Sequence, residues 1–314
     1  LYFNSIYCPH QTLETAKGYS VDLGRHKSKF YNGTDSIVSE SKWTLDYSSH
    51  AIYDFSGNNF ADTVTGSSLS DTVYLGQYDT ANLAGASDQV YISGNASVDG
   101  GFGDDTITFA LPDLWQQSLS PGMSREKLSF TLDIASGKAT WTRTDKNGQA
   151  DSLTSQFQNF ENYIIGFDVG AGSHTNDYAN HFYTMDSMSI NGSRAGETIE
   201  LKNLSARTTT ITGNGGDDTF VFSDSFPSSS ARTINFTDFV SNNNVGDKID
   251  LTNMGTPDGS EHTGQWLHVL LKGSTATVTA DGSAYKLFFS ATNHTFAISD
   301  FRIDSTFTTI GKSR

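Results

Sequence analysis

The chain has 314 residues, 35 acidic against 20 basic, with a net charge of −15, 29 Gly and 5 Pro. So acidic a chain is a poor partner for nucleic acid, because phosphate contacts need Lys and Arg, and its oxygen donors suit divalent cations, calcium above all. Its one cysteine, Cys8, excludes an intramolecular disulfide framework and zinc sites built on paired cysteines. No apolar run reaches the length of a membrane span. An abundance of Gly, Ser, Thr, Asn and Asp points to short strands joined by tight turns rather than to helices.

Residues 1–50 read as a lead-in, and Leu1-Tyr2-Phe3-Asn4-Ser5 is close to the remnant of a cleaved tag. The stretch Ala51 to Phe109 then holds eight aspartates and no Lys or Arg. Like charges this dense repel, so a compact fold there calls for a counter-cation. Two nonamers follow each other in register: Gly57-Asn58-Asn59-Phe60-Ala61-Asp62-Thr63-Val64-Thr65 and Gly66-Ser67-Ser68-Leu69-Ser70-Asp71-Thr72-Val73-Tyr74. Asp88-Gln89-Val90-Tyr91 repeats their ending. Gly100-Gly101-Phe102-Gly103-Asp104-Asp105-Thr106-Ile107-Thr108 is the fullest copy. Two more come later, Gly192 to Glu200, with Glu197 in the Asp place, and Gly213-Asn214-Gly215-Gly216-Asp217-Asp218-Thr219-Phe220-Val221.

A nine-residue period reads as one half-coil of a parallel β-roll, a turn followed by a three-residue strand. Glycine lets the turn take positive φ and lets neighbouring turns come close. The alternating apolar residue (Val64, Val73, Val90, Ile107, Ile199, Phe220) faces a core between two sheets. The aspartate, with turn carbonyls, is placed to bind an ion between stacked turns.

These nonamers resemble those of the repeats-in-toxin (RTX) family of secreted calcium-binding proteins. The resemblance implies calcium ligation at Gly100, Gly101, Gly103 and Asp105 and at Gly213, Gly216 and Asp218, with Asp62 and Asp71 added from the less complete copies. Asp79 lies outside the frame, so its loss should matter less. Phe157-Gln158-Asn159-Phe160-Glu161-Asn162-Tyr163-Ile164-Ile165-Gly166 is similar to the linkers between such repeat blocks. Thr233 to Phe239, leading to Gly246-Asp247-Lys248-Ile249-Asp250-Leu251, resembles segments that close the array in proteins exported by type I secretion.

Between the blocks, Leu128 to Ile134 and Ala139 to Thr144 alternate around a Ser136-Gly137 turn, predicting hairpins that protrude from or cap the roll. Alternation from Leu267 to Leu271, Ala276 to Ala280, Tyr285 to Phe289 and Phe296 to Ile298 predicts strands of a cap. Phe236, Phe239, Ile249 and Leu251 should cover the apolar row ending at Phe220 and Phe222. Trp43, Trp115, Trp141 and Trp266 share no spacing and read as packing residues rather than a sugar platform. Metalloprotease, nucleophile-elbow and phosphate-loop motifs are missing. Cys8 with His10, His174 and His181 around Asp177, and Glu161 with Asp168 are the weak catalytic or metal alternatives.

The expected fold is therefore all-β, a parallel β-roll or β-solenoid. Its parts are the lead-in 1–50, a first repeat block 51–109, an inserted hairpin region 110–185, a second block 186–230 and a C-terminal β cap 231–314. The expected function is a non-enzymatic calcium-binding module of a large secreted bacterial protein of RTX type. A glycan- or protein-binding adhesin or toxin module contacting a host surface through 110–185 is the alternative, and a β-helical enzyme acting on acidic polysaccharide is the third.

Overall fold

The computed structural model describes residues 18–22, 27–31, 37–42, 51–54, 63–66, 70–110, 127–145, 147–166, 185–202, 206–225, 231–242, 245–255, 266–284, 286–306 and 308–312. In chain order the strands begin with β1 Gly18–Asp22, β2 Lys27–Tyr31, β3 Ile37–Lys42, β4 Ala51–Asp54, β5 Thr63–Thr65, β6 Asp71–Leu75 and β7 Thr80–Asn82. There follow β8 Gln89–Ile92, β9 Ser97–Asp99, β10 Thr106–Phe109, β11 Lys127–Asp133, β12 Lys138–Thr144, β13 Ala150–Gln158 and β14 Asn162–Ile165. Next are β15 Met185–Asn191, β16 Thr198–Lys202, β17 Ala206–Thr212, β18 Thr219–Ser225, β19 Arg232–Phe236, β20 Ser241–Asn242 and β21 Val245–Gly246. The last are β22 Lys248–Asp250, β23 Met254–Gly255, β24 Leu267–Lys272, β25 Thr275–Ala280, β26 Lys286–Ala291, β27 Phe301–Arg302 and β28 Thr308–Lys312. The chain is all-β with parallel sheets, and it divides into two compact units. One comprises Leu1–Met123, Leu153–Tyr163 and Val169–Ala179; the other comprises Ser124–Ser152, Ile164–Asp168 and Asn180–Arg314.

In the first unit, β5, β7 and β9 pair in parallel, and the end of β13 joins β9. A second parallel sheet is made by β4, β6, β8 and β10. Successive strands from β5 to β10 thus alternate between the two sheets. The reason is their pattern: each has apolar residues on one side only, and two such faces bury each other. Val73, Val90 and Ile107 stack in register at zero exposure, with Leu75, Ile92 and Phe109 as a second row. Ala81, Val98 and Phe157 meet them from the other sheet, and Phe157 lies edge-on to Phe109 with ring centroids 5.6 Å apart. Each full burial of this kind stabilises by roughly 1.5–3 kcal/mol. Val64 lies on β5, but its side chain is outside those described.

The repeat differs from the expected period. Corresponding residues of successive coils are 17 apart, one short of two nonamers. The shortened half ends in β7 or β9, which lack the nonamer's glycine-to-aspartate spacing in front of them. Their turns work differently: Asp79 accepts the N–H of Gly76 at 2.7 Å, and Tyr78 takes a positive φ of 69°. In the next coil Gly94 takes φ 138°, and Ala96 donates to Ser155 Oγ.

In the second unit, β11, β15, β17 and β19 form a parallel run, with β12 antiparallel to β11. The turn between β11 and β12 carries Gly137 at φ 62°, where the sequence placed it. This hairpin does not protrude: Leu128, Phe130, Leu132 and Trp141 are core residues, and β11 extends the sheet. Trp266 is also buried, so both described tryptophans pack; Trp43 and Trp115 lie outside the described residues.

The opposite sheet runs β16, β18, β22 and β27, all parallel, with β23 beside the end of β18. β19 continues into the antiparallel strands β26, β25 and β24, and β28 pairs with β24. Phe220 meets Phe236 at 5.1 Å and Phe222 meets Phe289 at 5.2 Å, while Phe236 touches Phe239. Ile249 pairs with Phe220 in the sheet. The expected covering of the Phe220–Phe222 row is thus made by Phe236 and Ile249, with Phe289 added. Phe296 to Ile298 is not a strand. Phe296 turns into the aromatic cluster, and Asp300 accepts the Ala297 N–H at 2.7 Å, which winds Ile298–Asp300 into a 3₁₀ turn.

Candidate metal centre

The fullest nonamer forms a turn stacked on the preceding coil. Ala86 N–H donates to the Phe102 carbonyl at 2.9 Å, and Phe102 N–H donates to the Ala84 carbonyl at 3.1 Å. Such close backbone approach decides where glycine is required. A Cβ on Gly103 would collide with the Ala86 carbonyl, and one on Gly101, at φ 90°, would lie 2.6 Å from the Ala84 oxygen. Gly100 faces the Asn159 carbonyl and Asp105 Oδ2.

These turns aim one carboxylate per coil at the backbone of the coil before it. Asp88 Oδ1 accepts the Asp71 N–H at 2.7 Å, Asp105 Oδ1 accepts the Asp88 N–H at 2.8 Å, and Glu161 Oε2 accepts the Asp105 N–H at 2.8 Å. Asp71, Asp88 and Asp105 are 3%, 1% and 0% exposed. The second oxygen of Asp88, and that of Asp105, is buried without a hydrogen-bond partner. Among the described residues no Lys, Arg or His pairs with either group. Burial therefore pushes the Asp88 carboxyl up to about 7 against the pull of the Asp71 N–H, helped by the charges of Asp71 and Asp105. Asp105 is raised as well, by burial and then by Glu161, Asp104 and Asp99, although the Asp88 N–H opposes this. Asp99 behaves oppositely. Burial pushes it up, but the amides of Asn159 and Gln158 and the Gly101 N–H outweigh that and lower it.

The second unit repeats the arrangement. Asp218 Oδ1 accepts the Glu197 N–H at 2.9 Å, and Asp247 accepts the Asp218 N–H at 3.1 Å and the Val240 N–H at 2.7 Å. Asp238 accepts the N–H groups of Gly213 and Asn214, both at 2.7 Å. Glu197, Asp218 and Asp247 are all buried, and Asp218 Oδ2 has no partner. Burial pushes Asp218 up to about 8, with the Glu197 and Asp247 carboxylates adding to it and the Glu197 N–H opposing. Asp247 is raised by burial too, against its two N–H donors. A Cβ on Gly213 would strike Asp218 Oδ2; on Gly216, at φ 94°, it would strike the Ala195 carbonyl.

Of the residues singled out in the sequence, Asp71, Asp105 and Gly100, Gly101 and Gly103 come together in one set of turns, and Gly213, Gly216 and Asp218 in another. Asp62 lies outside the described residues, as do Cys8, His10, Asp168, His174, Asp177 and His181. Glu161 ends the first carboxylate series, accepting the Asp105 N–H. Asp88 and Glu161 in the first set, and Asp238 and Asp247 in the second, are added by the structure. For Asp88 the Asp-x-Val ending was the signal, and for Asp247 the preceding Gly246. Asp79 is not a bystander, being 1% exposed and committed to its own turn. Among the described residues no three carboxylate, imidazole or thiol side chains converge on one point. A cation held here would need turn carbonyls beside the carboxylates.

No protein-family model matches the chain. Nor does any curated protein match it. Among the described residues no helix is long and apolar enough to cross a membrane.

Proposed function

We propose that this chain is a calcium-binding module of a secreted bacterial protein of the repeats-in-toxin type. We read the paired parallel sheets of each unit as a parallel β-roll, and the antiparallel strands β24, β25 and β26 beside β19 as the cap on the second unit's roll. The observation that carries the reading is the set of buried carboxylate oxygens without partners, Oδ2 of Asp88, Asp105 and Asp218. A buried anion costs several kcal/mol unless it is neutralised. A protein can neutralise it with a proton or with a cation. Calcium takes six to eight oxygen ligands in flexible geometry, and the donor set suits it: one carboxylate per coil, in turns whose glycines bring carbonyls together. Asp105 with the Gly100–Gly103 turn, and Asp218 with the Gly213–Gly216 turn, would hold the ion; Asp71 and Asp88 would complete the first series. Millimolar calcium outside the cell then makes binding free energy part of folding free energy.

The test is circular dichroism and thermal melting of the chain in EDTA and in millimolar calcium, with titration calorimetry to count ions. Calcium should raise the melting temperature and the ordered signal, with Asp105→Ala and Asp218→Ala each losing a site. Spectra and melting unchanged by calcium would mean that protons, not ions, neutralise the carboxylates.

A further inference from the structure

On the first unit's β4–β6–β8–β10 sheet, parallel pairing sets Tyr74 of β6 directly beside Tyr91 of β8. The residues on either side of them, Val73 and Leu75, Val90 and Ile92, are buried in the core. Both phenols therefore stand on the outward face, half-buried. Their rings lie nearly parallel, 14° apart, with centroids at 4.4 Å. That is at the short limit of what aromatic pairs adopt by themselves. The strand spacing of about 4.8 Å imposes it, and the register cannot slip without turning core side chains out to water.

Tyrosine is also the easily oxidised side chain that the fold leaves within reach of solvent. Among the described residues Trp141 and Trp266 are buried, as are Met185, Met188 and Met254. Tyr163 is buried too, and its hydroxyl donates to the Phe160 carbonyl at 2.6 Å. Tyr78 is exposed, but no ring among the described residues stacks on it. Tyr74 and Tyr91 combine access with a second phenol at contact distance.

We propose that Tyr74 and Tyr91 form a site of oxidative cross-linking, joined as dityrosine by hydrogen peroxide acting through a haem peroxidase. Each phenol gives up one electron and its hydroxyl proton, leaving a phenoxyl radical with spin on the ring carbons beside the oxygen. One such carbon of each ring bonds to the other, and the hydrogen each carried moves to its own phenol oxygen as the rings regain aromaticity. The peroxide takes up the two electrons and two protons and leaves as two waters. Between free tyrosines this coupling waits on an encounter; the strand register makes it intramolecular. The ring centroids already lie near the separation that a biaryl bond fixes, so the rings have only to turn about their side-chain torsions. The bond would tie two successive coils, 17 residues apart, in a chain whose one cysteine excludes an internal disulfide. The inference is independent of calcium ligation, although the protein is tested with calcium present.

The full chain, dilute and in millimolar calcium, is treated with limiting hydrogen peroxide and a haem peroxidase. Dityrosine fluorescence, a denaturing gel and mass spectrometry of the peptides are the readouts. The wild type should gain dityrosine while remaining a monomer, with the peptides of Tyr74 and Tyr91 joined and lighter by two hydrogen atoms. Tyr74→Phe and Tyr91→Phe keep the ring and remove the phenol, so each should lose that product with an unchanged circular dichroism spectrum. Tyr78→Phe should cross-link as the wild type does. Should a Phe variant fail to fold, the wild type unfolded in urea makes the same comparison, since without the register the Tyr74–Tyr91 product should fall to the level of other tyrosine pairs. Dityrosine found only between chains or at other tyrosines, tyrosine oxidised without coupling, or an equal yield of the product from folded and unfolded chain would overturn the proposal.

Discussion

Replacing Asp88 by asparagine separates the two ways of neutralising the carboxylate series. The amide keeps an oxygen for the Asp71 N–H, which now sits 2.7 Å from Asp88 Oδ1, and removes only the charge. In the folded chain the Asp88 carboxyl is raised from an ordinary 3.8 to about 7. Each pH unit corresponds to about 1.4 kcal/mol, so ionising this group in the fold costs on the order of 4 kcal/mol. Because the folded value is raised, the favourable form is the neutral acid. Its contribution is whole below about pH 4 and is lost as pH rises through about 7. In EDTA at pH 8 Asp88→Asn should therefore melt higher than the wild type, by up to roughly ten degrees if the whole cost is recovered. At pH 4 the two should melt together. In millimolar calcium at pH 8 the order should reverse, since the variant has lost an ionic ligand. Melting followed by circular dichroism in the three buffers gives the comparison. A variant that melts below the wild type at pH 8 in EDTA would refute the reasoning, because the protein alone would then be stabilising the ionised carboxylate.

The remaining predictions concern the turns. Gly103→Ala and Gly216→Ala drive a Cβ into the Ala86 and Ala195 carbonyls, and each should cost more than about 2 kcal/mol in denaturant unfolding. Gly273→Ala, at φ 58° with nothing within 4 Å of the added carbon, should cost only about 1 kcal/mol, the strain of its backbone; equal losses at all three would show that close approach is not what requires glycine. Asp79→Ala should cost about 1–3 kcal/mol with or without calcium, because it leaves the buried turn N–H of Gly76 without its acceptor. A calcium-dependent loss at Asp79 would instead place it among the ion ligands.

Local rules made much of this protein legible. Glycine positions followed by aspartate and then an alternating apolar residue are a local pattern, because positive φ, turn closure and the two-residue strand period all act over a few neighbours. That is why β6, β8, β10, β16 and β18, the stacked Val73, Val90 and Ile107, and Asp105 and Asp218 can be found from the sequence. The Ser136-Gly137 turn is legible for the same reason. Tertiary structure decided the rest. Glu161 joins the carboxylate series from 56 residues beyond Asp105, and Asp247 joins from 29 beyond Asp218. Neither pairing has a local signature, since what aligns them is the stacking of whole coils. Strands β7 and β9 carry no nonamer signature because their turns close through Asp79 and Gly94. The polar outward row pairs of β11, β15 and β17 are the extreme case. Ser129-Phe130-Thr131, Ser187-Met188-Ser189 and Thr208-Thr209-Thr210 each read as an ordinary half-buried strand, and only cross-strand register, set by cores far apart in the chain, turns three such strands into one surface.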